Sequence, residues 1–232
     1  MKNKDVQPRN LAHKLFEHFH FLLENLPELP KGVSWLLPFK ELPETAKVTK
    51  AFLEKFYGDY QNRTLILGIN PGRFGAGVTN VAFTDPVILE QACGIENSFH
   101  KRAELSAVFV YKVIDAYGGP ARFYQNFFIN SVVPFGFVKD GVNYNYYDDR
   151  PLQVAMEPFI KKHLENLLTI GMHSDVCYCL GEGKNFKYLS KLNEQEGYFE
   201  QVVPLSHPRY IMQYKRKRVD EYVTDYLEKL SK

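Results

Sequence analysis

Thr64-Leu65-Ile66-Leu67-Gly68-Ile69-Asn70, followed at once by Pro71-Gly72-Arg73-Phe74-Gly75-Ala76-Gly77, is the stretch on which the fold turns. A continuous apolar run closed by small and polar residues suits a strand buried on both faces, and such strands belong to parallel sheets covered by helices. Working outward, three more short apolar runs read as strands: FFINSVVPF at residues 127–135, DVCYCLG at 175–181 and YFEQVVPL at 198–205. Segments with helical apolar spacing separate them, at residues 105–117, 152–170 and 185–194. Each is long enough to cross between parallel neighbours. The alternation predicts an α/β chain with a four-stranded, mainly parallel sheet.

Further upstream, Leu11, Leu15, Phe16, Phe19, Leu22 and Leu23 recur at helical spacing until Pro27 and Pro30 stop the pattern, and Val48, Phe52, Leu53, Phe56 and Tyr57 mark a second helix. At the other end, Val219, Tyr222, Val223, Tyr226, Leu227 and Leu230 form one stripe, which predicts a closing helix packed onto the sheet. With 232 residues, 45% of them hydrophobic, the chain can bury one substantial core. One domain over residues 1–232 is expected, with the helices of residues 1–60 packed on it.

A formal charge of +2 and a pI near 8.3 are too mild to identify a nucleic-acid binder. Where the charge lies has to carry that question. Cys93, Cys177 and Cys179 are an odd number without metal-ligand spacing, so buried reduced thiols are expected and no metal. The polar opening MKNKDVQPRN has no apolar core of a signal peptide, and no run approaches the roughly 18 apolar residues of a membrane span. A cytoplasmic location, with no membrane partner, is the resulting expectation.

In open parallel sheets ligands bind beyond the carboxyl ends of the strands. The loop after the first strand holds Asn70 at a strand tip, with Pro71 restricting its backbone and small residues allowing close approach. It has neither the GK[ST] ending of a phosphate loop nor a GxGxxG pattern. An ordinary turn is the competing reading. Asn130, a polar amide in an apolar run, either satisfies backbone groups or reads the edge of a heterocyclic base. His207, before Pro208 at the end of the last strand, is a packed residue or a member of a site with Asn70. After it, Arg209, Tyr210, Lys215, Arg216, Lys217 and Arg218 form a basic, aromatic-containing stretch suited to phosphates, or else a solvated helix start. Asp85, Asp148 and Asp149 are expected to be structural.

Taken together, GINPGRFGAG, the downstream Phe83, FINSVVPFG and SHPR resemble the uracil-DNA glycosylase superfamily, in particular its SMUG-like (single-strand-selective monofunctional) branch. The resemblance spans about residues 65–214 and is specific at the motifs, as in a divergent bacterial-type member. It implies a three-layer α/β/α sandwich around the four-stranded sheet and a monofunctional enzyme that hydrolyses the N-glycosidic bond of a deaminated or oxidised base. Uracil is the first expectation, with hydroxymethyluracil and xanthine next.

By the same resemblance, Asn70 positions the hydrolytic water, Phe83 stacks on the extruded base and Asn130 reads its edge. His207 donates to the charge developing on the base oxygen, helped by backbone amides near Ile69 and Gly72. Arg209, Tyr210, Ile211, Lys215, Arg216 and Lys217 contact DNA, with Tyr210 and Ile211 filling the gap left by the base. No cofactor is implied, DNA is the partner, and the chain is expected to act as a monomer. Three departures stand out: the usual HPSPR is shortened to His207-Pro208-Arg209, Arg73 occupies a place where a small residue is frequent, and Thr84 rather than glycine follows Phe83. Arg73 is the resulting specificity candidate. The alternatives are a noncatalytic module for single-stranded nucleic acid or nucleobases, and a small-molecule hydrolase, for which no GxSxG elbow is present.

Overall fold

Polar caps and prolines set where the helices begin. In the computed structural model, which describes residues 9–231, Asn10 caps α1 (Leu11–Glu24) by accepting from the His13 amide. A short strand β1 (Val33–Leu36) and one helical turn α2 (Pro38–Glu41) lead to α3 (Pro43–Tyr57), whose first position is a proline, where no amide donor is needed. Strand β2 (Arg63–Gly68) then enters the core. The connection after it holds α4 (Ala76–Thr79), α5 (Pro86–Gln91), α6 (Leu105–Tyr117) and α7 (Pro120–Asn126) before β3 (Phe127–Ser131). A hairpin of β4 (Gly136–Lys139) and β5 (Val142–Tyr144) precedes α8 (Arg150–Ile170), which Asp149 caps. Then follow β6 (Met172–Leu180), α9 (Lys184–Glu196), β7 (Gln201–Leu205), α10 (Pro208–Tyr214), a 3-10 turn (Arg216–Arg218) and α11 (Val219–Leu230).

The expected sheet is present: β3-β2-β6-β7, parallel throughout, with Leu65 opposite Phe128 on one side and Cys177 on the other. Leu65, Leu67, Cys177 and Cys179 are wholly buried, as a sheet covered on both faces requires. Because β2 connects leftward to β3 while β3 and β6 connect rightward, right-handed crossovers send α6 to one face and α8 and α9 to the other. The result is the three-layer α/β/α arrangement.

Three details differ from the sequence reading. The run at residues 127–135 is not one strand: β3 stops at Ser131, and after a turn the chain starts β4 in a different sheet. That sheet, β1-β4-β5, is antiparallel and was not expected. It is made by Trp35 pairing with Phe137 across about 100 residues of sequence, a contact no local pattern encodes. The closing helix α11 lies chiefly beside α6, and the Tyr178 hydroxyl of β6 donates to its Lys229 carbonyl at 2.7 Å. Tyr226 ties α11 to α6 and to the loop after β7, packing edge-on against Phe109 while its hydroxyl donates to the Ser206 carbonyl. The three cysteines are buried and free. No described helix is long and apolar enough to cross a membrane.

Candidate active site

The strand order reverses between β2 and β6, and this is where doubly wound sheets open a crevice. A cleft of about 500 Å³ lies there, within the usual size of small-ligand sites. Ile69, Asn70, Pro71 and Gly72 after β2 line one wall, and Gly181 to Asn185 after β6 line the other. Phe83, His207, Arg209 and Tyr210 complete the site. Sequence candidates from three separate loops thus meet in one cavity.

Asn70 is locked. Its Nδ2 donates to the Tyr144 carbonyl at 3.1 Å and to the Pro71 carbonyl at 3.4 Å, while Oδ1 accepts from the Tyr146 amide at 3.1 Å. Both amide hydrogens are used, and an amide oxygen has a second lone pair. The side chain can therefore accept one further hydrogen bond without moving. Tyr146 and the end of β6 are tied together by Asn185, whose Oδ1 accepts from the Tyr146 hydroxyl at 2.8 Å and whose Nδ2 donates to the Leu180 and Gly68 carbonyls at 3.1 and 3.3 Å.

Phe83 sits in left-handed backbone at φ 52°, uncommon for an aromatic residue and retained where surrounding structure demands it. The constraint is visible on both sides. The Thr84 hydroxyl bonds Tyr111 at 3.0 Å and its carbonyl accepts from Thr79 at 2.6 Å, so Thr84 anchors the turn. On the cleft side the ring lies over Gly68, where any Cβ would stand 2.9 Å from two ring carbons. The ring centroid is 6.3 Å from that of His207.

His207 caps α10, its Nδ1 accepting from the Arg209 amide at 3.1 Å. Burial, and then the nearby Arg209 cation, lower its pKa to about 4. The ring is therefore neutral near pH 7, and with Nδ1 accepting, the proton is on Nε2. No described residue takes that N–H. Glu104, which also lines the cleft, has its carboxyl raised to about 7 by burial and by Asp85, against the opposing pull of Arg209.

The remaining sequence candidates are placed unequally. Ile69 and Gly72 line the cleft. Asn130 does not; it lies 5% exposed in a small recess that shares Pro71, Ala76, Ala82 and Ser131 with the cleft. Ile211 is 0% exposed, so its expected insertion into DNA is corrected: it is a core residue on the inner face of α10. Lys215, Arg216 and Lys217 stand outside the cleft lining, the last two exposed on the 3-10 turn. Arg73 also lies beside the cleft, its amide and Nε donating to Asn143 Oδ1 at 3.1 and 3.2 Å and a guanidinium nitrogen donating to the Gly141 carbonyl. It ties the first loop to the β4–β5 hairpin. Asp85, Asp148 and Asp149 are structural, each accepting backbone amides at a helix start or turn.

Sequence reasoning missed Ser131, Glu104, Asn143, Asn145, Tyr147 and Tyr214 as lining residues. Ser131 had a legible signal, because it alternates with Asn130 on a strand and must face the opposite way. Tyr214 is 72% exposed and pairs with Tyr210 at 5.6 Å, forming an aromatic rim.

The locked amide of Asn70, the imidazole of His207 and the ring of Phe83 thus face one cleft at the switch point of a parallel sheet. The family model described as the uracil-DNA glycosylase superfamily matches residues 55–231, and the chain belongs to that superfamily. It is a DNA glycosylase, a hydrolase of N-glycosyl bonds, of the SMUG-like type. Among solved structures it is similar to wild-type SMUG2 of Pedobacter heparinus, with 41% identity, a TM-score of 0.91, and coverage of 97% of this chain and 98% of that one. No match was found among curated proteins.

Proposed function

We propose that this glycosylase excises uracil from DNA, with hydroxymethyluracil and xanthine as further candidate bases, acting as a monomer of one domain. The observation that carries the reading is that Asn70, Phe83 and His207, from three separate loops, line a single cleft. Breaking the glycosidic bond puts positive charge on the sugar and negative charge on the leaving base, so a fixed donor at the base oxygen lowers the barrier. His207 Nε2–H is that donor. A neutral imidazole suits the task, since it donates without carrying a proton that would have to be released.

Asn70 supplies the second function. With its amide hydrogens committed to Tyr144 and Pro71, its oxygen accepts from a water and holds it for the cationic sugar. An amide is a poor base, which fits a reaction in which the cation forms before water attacks. Phe83 replaces stacking lost when the base leaves the helix, and Asn130 meets the base edge through the shared recess. Arg209 and Tyr210 at the rim contact the strand, with Lys215, Arg216 and Lys217 adding charge farther out.

The test is cleavage of oligonucleotides containing uracil, hydroxymethyluracil, xanthine or hypoxanthine, followed by alkali to break abasic sites. Uracil DNA is expected to be cut by the wild type, and Asn70→Ala to lose at least about 100-fold in single-turnover rate. Full activity of Asn70→Ala removes its assigned role, and failure of the wild type on all four bases removes the substrate reading.

A further inference from the structure

The recess behind the cleft contains a second amide that the mechanism above does not use. Asn80 ends α4 in left-handed backbone at φ 55° and is 8% exposed, and its Nδ2 has no hydrogen-bond partner among the described residues. Asn130 Nδ2 is likewise buried without a partner. Its orientation is set, because Asn130 Oδ1 accepts from the Ser131 amide at 2.8 Å. Both amides line the same cavity, of about 20 Å³, whose other walls include Phe52, Val81 and Phe128.

Buried amide donors normally have partners, and leaving one unsatisfied costs stability. Two such donors in one apolar-walled cavity are a receptor for an acceptor, and the volume is about that of one oxygen. The recess adjoins the cleft, with Pro71, Ala76, Ala82 and Ser131 lining both. Asn80 is also three residues before Phe83, on the segment whose two left-handed residues present the ring.

We propose that Asn80 is a second base-discriminating residue, acting with Asn130 to receive one carbonyl oxygen of the extruded base in this recess. The inference rests on the base-excision reading above. An oxygen there accepts from both amides. An exocyclic amine brings hydrogens against two donors and leaves both unpaired. The recess thereby favours a deaminated, oxo-bearing base over its amino-bearing parent, by the rejection that a site built for hydrogen bonding can deliver.

Asn80→Gly tests this with little risk to the fold, because glycine adopts φ near 55° without strain and the lost Nδ2 has no described partner. Wild type is first assayed on the four-base panel, and the base cleaved fastest is used thereafter. Asn80→Gly is expected to cut that DNA about tenfold more slowly in single turnover. Its affinity for an oligonucleotide carrying a tetrahydrofuran abasic analogue, which has no base to read, is expected to stay within about twofold, and its Tm not to fall. Asn80→Asp, which keeps size and tolerates the same backbone but replaces the donor by an acceptor, is expected to lose at least as much. Wild-type cleavage by either variant overturns the inference, as does an equal loss of affinity for the abasic analogue. Those results leave base excision by the wild type intact. If the wild type cleaves none of the four bases, the substrate reading and this inference fall together.

Discussion

The neutrality of His207 can be tested by pH. An imidazole at the ordinary value of 6.5 is about 90% protonated at pH 5.5, whereas one lowered to about 4 is only about 3% protonated there. If donation requires the neutral ring with its proton on Nε2, the single-turnover rate should run flat from pH 8 to 5.5. Glu104 titrates in the same cleft near 7, so the profile should be recorded in a Glu104→Gln background. Single-turnover conditions with enzyme in excess isolate bond cleavage from DNA binding. In the same background, His207→Ala should lower the rate about 10²- to 10³-fold, or roughly 3–4 kcal/mol, the cost of one preorganised donor to developing charge. A step centred near 6.5 that disappears in His207→Ala would refute the reasoning, because it would require a ring that titrates like an exposed histidine.

Two further outcomes follow from the packing around the site. His18 Nε2 bonds His163 Nδ1 at 2.8 Å, and His163 Nε2 donates to the Ser131 carbonyl at 3.2 Å, with both rings buried. Burial lowers His18 to about 4 and His163 well below 6.5, His163 also through its neighbour His18. The unfolded chain therefore binds more protons as pH falls. Stability from neutral burial is full above about pH 7 and lost as pH drops from 6.5 toward 4, by on the order of 3 kcal/mol for His18 alone. Urea unfolding at pH 8 and 5 should show this loss, reduced in His18→Gln; equal losses in both proteins would contradict it. In the second case, Gly68→Ala should push the Phe83 ring aside, since the new Cβ would stand 2.9 Å from it. Cleavage should fall at least about tenfold and stability by about 1–3 kcal/mol, the usual range for overpacking. Unchanged values in both assays would mean that the ring yields freely and is not held for stacking.

Much of the fold was legible because its signals are local. The run at Thr64 to Asn70, the crossover helices and the terminal helices each announce themselves by apolar period, and α6 falls at the residues expected. The hairpin was also legible, since Asp140-Gly141 is a dipeptide favoured in two-residue hairpin turns and both residues have positive φ. Its partner β1 was not, since nothing near Trp35 indicates that it pairs with Phe137.

The candidate site divides along the same line. The sequence by itself determined which residue types stand at the strand ends, so Asn70 and His207 could be named before their meeting was visible, and the family resemblance added Phe83. Only the tertiary structure decided which of them share a cavity and which way each side chain faces. Asn130 turns into the recess while Ser131 lines the cleft, and Ile211 turns into the core while Tyr210 faces the rim. Asn80 shares a recess with Asn130 only because the end of α4 and strand β3 meet across it. Local propensity depends on neighbours along the chain, but a cavity and its unpaired donors depend on long-range packing, which no single segment carries.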